Sequence, residues 1–323
     1  MILMIVCRAH PTRVGLAIAG AAAGAVLALG GCTSTGSDAG GDRLSVVTGF
    51  YATQYLAEQI GGSQVQVISL TPPGAEPHDL ELTSRQVVQI AKSDLTITLP
   101  GFQPAVDDGI RAAMPRTVLD ITTAAGLHPL TGHTHDGGGD VEHAETAEEL
   151  EVDPHFWLDP ERMAAVSREL VDTLSRLDPA GAEDFRRRGH ALDTTLATLT
   201  QNYVDGLAHC ANTDLVTGHA AYGHLAAFVG FTQHPLALNP DAEPSPATLA
   251  AITTFVREHH TRVIYTEPLA SPKVAEVIAA ETGARTAVLD PIEGLTDASA
   301  ARDYPGLMRA NLTTLISAQE CTP

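Results

Sequence analysis

Four short segments carry residue types that bind a cation more readily than they build a core. They are Pro77-His78-Asp79-Leu80, Asp153-Pro154-His155-Phe156-Trp157-Leu158-Asp159-Pro160, Thr217-Gly218-His219-Ala220-Ala221-Tyr222-Gly223 and Leu289-Asp290-Pro291. Each falls where a strand is expected to end or a helix to begin, and ligands of open α/β sheets collect in that crevice. Three imidazoles and a carboxylate, from His78, His155, His219 and Asp290, suit a zinc ion. Zinc takes nitrogen and oxygen donors at about 2.0–2.2 Å in a tetrahedral array. The wide spacing is not that of a zinc finger, and a single histidine of this kind is more often structural than a ligand. Only their shared context singles these residues out. Four protein donors would also close the shell, whereas catalytic zinc keeps a position open for water. Neither HExxH nor GxSxG occurs in the chain, so a zinc hydrolase is disfavoured and no enzymatic activity is expected.

The elements that must position these residues follow from the apolar pattern. Residues 44–48, 65–70 and 95–99 are short apolar runs that read as buried strands, with helices expected over 51–60, 84–92 (Thr83 as N-cap) and 104–114. Apolar strands alternating with helices imply a parallel sheet covered on both faces. An irregular stretch over 123–153 lacks periodic apolar residues and reads as a mobile surface loop. Asp159-Pro160 opens a helix to about residue 177, as an N-cap followed by proline at the first helical position. A longer helix is expected over 179–208, with Phe185, Leu192, Leu196, Leu199, Tyr203 and Leu207 on one face. The alternation then repeats, with strands at 215–217, 262–266 and 286–289 and helices at 221–229, 245–260, 272–282 and 304–318. The fold class expected is α/β: two lobes, each a parallel-rich sheet flanked by helices, joined by one long rigid linker helix. The lobes would span 43–178 and 209–323, with the linker at 179–208.

The N-terminus reads as a targeting segment. Arg8 and Arg13 precede an uncharged Ala- and Gly-rich run that ends in Leu29-Gly30-Gly31-Cys32. The run is short for a spanning helix, which needs about 20 apolar residues. Residues 1–31 are expected to be a lipoprotein signal peptide, Cys32 the lipidated residue, and 32–42 a flexible tether. An ordinary secretory signal or a retained anchor are the alternatives. The location implied is the outer face of the cell membrane. Cys210 and Cys321 remain, and in an oxidising compartment they are expected to pair, two free thiols being the alternative. The net charge of −20 argues against nucleic acid, whose phosphates need lysine and arginine.

Six motifs, PHDLEL, DPHFWLDP, GHAAYG, EPSPATL, YTEPLASPKVAEVIA and VLDPIEGL, occur in this order. Together they resemble the zinc-specific substrate-binding proteins of bacterial ABC importers, the ZnuA-like family that also has a manganese branch. The resemblance runs from about residue 44 to the end. It implies two α/β lobes with metal between them, His78 and His155 from the first and His219 and Asp290 from the second. It also implies delivery of Zn2+ to an ABC permease by a monomeric, extracytoplasmic protein. In the manganese branch a glutamate commonly stands where His219 stands, and nitrogen donors favour zinc over manganese. A manganese-binding protein or adhesin of the same family is the alternative function. The fourth donor stays open among Asp290, which is preferred, Glu76 and water. Glu267 is a candidate to orient an imidazole. Phe156 and Trp157 either shield the metal or simply pack. His224, where relatives often carry an aromatic, lies five residues from His219, a poor spacing for two ligands on one helix face, so it is expected to pack in the core or just behind the donors. His128, His133, His135 and His143 form a histidine-rich loop within 126–152. It is either a fast, weak zinc-capture device and docking point for a metallochaperone, or a solvated linker. Excising residues 132–142 should leave equilibrium zinc affinity nearly intact and slow loading, which stopped-flow mixing with zinc would measure.

Overall fold

The computed structural model describes residues 43–127 and 153–322. The expected signal peptide, Cys32, the tether, and His128, His133, His135 and His143 lie outside the described residues. The first sheet comprises β1 (Leu44–Thr48), β2 (Val65–Ser69), β3 (Leu95–Thr98) and β4 (Val118–Asp120), all parallel, in the order β2-β1-β3-β4. The second comprises β5 (Asp214–His219), β6 (Thr232–Ala237), β7 (Val263–Thr266) and β8 (Arg285–Val288), again parallel, in the order β6-β5-β7-β8. Both sheets therefore follow one plan. The chain leaves the first strand to one side and returns on the other, so the carboxyl ends of the two central strands open a crevice at the point of reversal.

Helices cover the sheets: α1 (Tyr51–Gly61), α2 (Ser84–Lys92), α3 (Pro104–Ala113), α4 (Pro160–Leu177), α5 (Ala182–Gly206), α6 (Gly223–Val229), α7 (Pro246–Glu258), α8 (Lys273–Thr282) and α9 (Tyr304–Ala318). Side chains fix several of their starts. Thr83 and Gln86 close a reciprocal capping box on α2. The carboxylate of Asp159 accepts the Glu161 N–H at the start of α4, and Pro160 follows it as the first helical residue. Among the described residues α5 is the longest helix, 25 residues, and it packs against α1, α4 and α9. Among the described residues no helix is long and apolar enough to cross a membrane.

Two elements depart from the sequence reading, and both are edge strands. β6 carries His234 and Pro235, and β4 is three residues long with both ends exposed. Edge strands need no continuous apolar run and tolerate proline, so the pattern that marks a central strand is missing there. Cys210 and Cys321 form the expected disulfide. It ties the chain end to the segment after α5, where Thr322 N–H also donates to the His209 carbonyl.

The largest buried cluster runs through both lobes without a break, from Val46, Phe50 and Trp157 to Tyr222, Leu289 and Tyr304. Trp157 is its pivot. The ring is fully buried and lies 5.1 Å from Phe50 and 5.8 Å from Phe102. Its indole N–H donates to the Pro291 carbonyl at 2.7 Å, while the Tyr304 hydroxyl donates to the Trp157 carbonyl at 2.5 Å. Both partners come from the second lobe. Trp157→Ala would leave a cavity and an unpaired carbonyl at the junction, so it should cost about 3–5 kcal/mol of stability. Denaturant melts of the two proteins would read that difference.

Candidate metal centre

His219 is the last residue of β5, so strand pairing sets its backbone. Its carbonyl accepts from the Gln233 amide at 2.9 Å and from the Thr217 hydroxyl at 2.8 Å. Glu267, just past the end of β7, receives both the His219 N–H (3.0 Å, Oε1) and the imidazole Nδ1 (2.5 Å, Oε2). Gly218 permits this approach, since a Cβ there would sit 2.8 Å from Glu267 Oε1. Glu267 thus holds the ring by its Nδ1 edge, and the imidazole turns Nε2 toward His155, 3.4 Å away.

His155 is held the same way from the first lobe. Asp153 Oδ1 accepts its backbone N–H at 3.0 Å and its Nδ1–H at 2.8 Å. The His78 ring stands edge-on to Phe102, 4.8 Å between centroids, in the loop between β2 and α2. That loop is pinned from below: the Gln103 amide donates to the Pro77 carbonyl at 3.0 Å and to the Thr71 hydroxyl at 3.2 Å. Trp157 also borders the cluster, 5.2 Å from the His155 ring, so it both packs and walls the site.

The fourth group of this cluster is Glu293, which the sequence reading missed. Donor atoms of His78, His155, His219 and Glu293 all lie within 4.8 Å of one another, and Asp290 is not in the set. Glu293 Oε1 lies 3.1 Å from His78 Nε2, 3.1 Å from His155 Nε2 and 3.4 Å from His219 Nε2. The local chain explains the exchange. The Asp290 carboxylate turns inward on its own turn and accepts the Ile292 N–H at 2.8 Å. Its backbone is locked to Asn311, which accepts the Asp290 N–H and donates to the Asp290 carbonyl. Ile292 then takes a positive φ of 57°, reversing the chain so that Glu293 reaches the cleft. The only signal in the sequence was proximity: Glu293 belongs to the same VLDPIEGL segment. Glu76 stands beside the cluster rather than in it, 4.0 Å from His78 Nε2, and accepts the His78 N–H at 3.1 Å.

The electrostatics follow from burial. Burial raises the Glu293 carboxyl, but hydrogen bonds from His155, His219 and His78 outweigh it and hold it well below the usual range. Burial depresses His219, yet Glu267 and Glu293 overcome this and push it up to about 10. His155 is likewise raised, Asp153 and Glu293 outweighing burial. Glu76 is pushed up to about 8 by burial and by the Glu293 charge, and burial lifts Asp290 to about 6.

Two parallel α/β lobes with three imidazoles and one carboxylate converging between them define a cleft protein whose donor set could hold one divalent metal ion. The chain belongs to the ZnuA family: residues 46–318 match its model, described as zinc-uptake complex component A, periplasmic. It is 32% identical over 285 residues to the zinc-binding protein AdcA of Streptococcus pyogenes serotype M1, covering 84% of this chain and 55% of that protein. The chain therefore spans about half the length of the streptococcal relatives it matches. It is 31% identical over 295 residues to the high-affinity zinc uptake system protein ZnuA of Bacillus subtilis, covering 90% of this chain and 92% of that one. The solved structure of the Zn(II)-bound ZnuA-like domain of Streptococcus pneumoniae AdcA has a TM-score of 0.71 and 29% identity, covering 86% of this chain and 99% of that one.

A metal ion needs the imidazole nitrogens unprotonated, whereas the carboxylates favour protons on them when no metal is present. Zinc uptake at pH 7 should therefore release protons, and apparent affinity should fall as pH falls. Calorimetric titration with zinc in buffers of different ionisation enthalpy gives the proton count directly.

Proposed function

We propose that the chain is an extracytoplasmic zinc-binding component of an ABC importer, holding Zn2+ with His78, His155, His219 and Glu293 and passing it to a membrane permease. One observation carries the metal assignment. Five donor–donor separations in the cluster are 3.1, 3.1, 3.3, 3.4 and 3.4 Å. A tetrahedron whose vertices lie about 2.0–2.1 Å from zinc has edges of about 3.3–3.4 Å. Two Nε2 atoms at such short range repel unless a cation sits among them or one carries a proton. Three nitrogens and one oxygen suit zinc better than manganese, which prefers oxygen donors. The names of the AdcA and ZnuA relatives point the same way.

The rest of the reading rests on the family and on sequence. Four protein donors leave no open position for an attacking water, so the role is binding and not catalysis. Anchoring at Cys32, a monomeric state and contact with a metallochaperone belong to this proposal, as does a small domain movement. The shared core and α5, which touches both lobes, favour local ordering over hinge closure.

Zinc competition titrations against a chelating dye test the donor set. Glu293→Gln should weaken zinc binding by more than the roughly 10–100-fold typical of losing an outer hydrogen-bond partner. Asp290→Asn keeps the oxygen that accepts from Ile292 and should change affinity far less. Equal losses in the two variants would sink the Glu293 assignment, and absence of zinc uptake by the parent would sink the function.

A further inference from the structure

His224 has a role that the donor set alone leaves unexplained. It is the second residue of α6, five positions after His219, and it reaches across to the other lobe. Its Nε2–H donates to the Asp153 carbonyl at 2.9 Å. The same nitrogen lies 3.8 Å from Asp153 Oδ2, with the His224 side chain 12% exposed and that of Asp153 4% exposed. Asp153 Oδ1, meanwhile, is fully committed to His155 through the backbone N–H and Nδ1. The two lobes are in close contact here: a Cβ on Gly223 would stand 2.6 Å from Asp153 Oδ2, so only glycine lets the start of α6 lie against this carboxylate.

We propose that His224 is a positioning residue that acts on the metal centre through Asp153. From the second lobe it holds the aspartate that fixes the His155 ring, in the tautomer that keeps Nε2 free for a cation. One short segment then carries both a donor, His219, and the clamp on a donor of the opposite lobe. Zinc leaves the cleft readily only when the His224–Asp153 contact opens. This inference rests on the zinc-holding reading of the cluster.

The test uses zinc itself as the probe, with release into excess chelator followed by stopped flow and with Co2+ substituted to report coordination by its visible absorption. His224→Phe removes the donor while keeping the bulk of the ring. It should speed zinc release by about tenfold and alter the Co2+ band, whereas His224→Gln, whose amide N–H can still reach the carbonyl, should stay within about twofold of the parent. If His224→Phe does not fold, His224→Asn, whose shorter amide cannot span the gap, should show the same fast release. Adding His224→Phe to Asp153→Ala should give no further acceleration, because without the carboxylate nothing is left for His224 to position against the His155 ring. Parent-like release from a folded His224→Phe or His224→Asn protein overturns the proposal, and so does full additivity with Asp153→Ala. Failure of the parent to take up zinc would instead overturn the function on which it rests.

Discussion

The cleft is organised around buried negative charge. Glu293, Asp153 and Glu267 are all nearly inaccessible to water, and each is bonded to at least one imidazole. Carboxylates so placed are tolerable only if positive charge sits beside them, because desolvation of an unpaired anion costs several kcal/mol. Protons on the histidines can meet that requirement, and so can a divalent ion. A site built this way would take up a metal only as it gave up protons. The direction of the shifts at His155 and His219 expresses this competition.

What the fold contributes is a set of fixed backbone positions at strand ends. His219 ends the central strand β5, Glu267 follows β7, and Asp290 and Glu293 follow β8. His78 follows β2, and His155 precedes α4 beside the capping Asp159. No donor sits on a helix interior. Their precision comes from polar side chains beneath them: Gln233 under His219, Gln103 under the His78 loop, Asn311 under the turn that presents Glu293. Each of these amides makes two hydrogen bonds and so stiffens what it holds.

Much of this was legible in the sequence, and the reasons are physical. Central parallel strands are buried on both faces, so LSVVT, LTIT and VIYT carry no charged residue and are rich in β-branched ones. Thr83, Asp159 and Ser245 announce helix starts through their side chains. The three histidines stood out by motif, and the structure brings their rings together. Glu293 did not stand out, because its position depends on two facts that sequence does not display. The Asp290 carboxylate folds back onto Ile292 N–H, and Ile292 adopts a left-handed conformation that a β-branched residue rarely takes. The edge strands β4 and β6 were hidden because half-exposed backbone places little demand on side-chain type. The pairing of Asp153 with His224 is not visible in the sequence, since a contact between lobes leaves no trace in local spacing.

The continuity of the core through Trp157 bears on how such a chain can vary over evolution. Two sheets with the same strand order invite a picture of interchangeable modules. Yet the wall of each lobe is made partly of the other, down to hydroxyl and indole groups that find their partners only across the junction. A lobe grafted from a distant relative would arrive with its half of that interior unmatched. Change at Trp157, Tyr304 or Tyr203 is thus tied to change on the facing side. The halves have to drift together, and recombination between them is penalised even where the metal donors are identical.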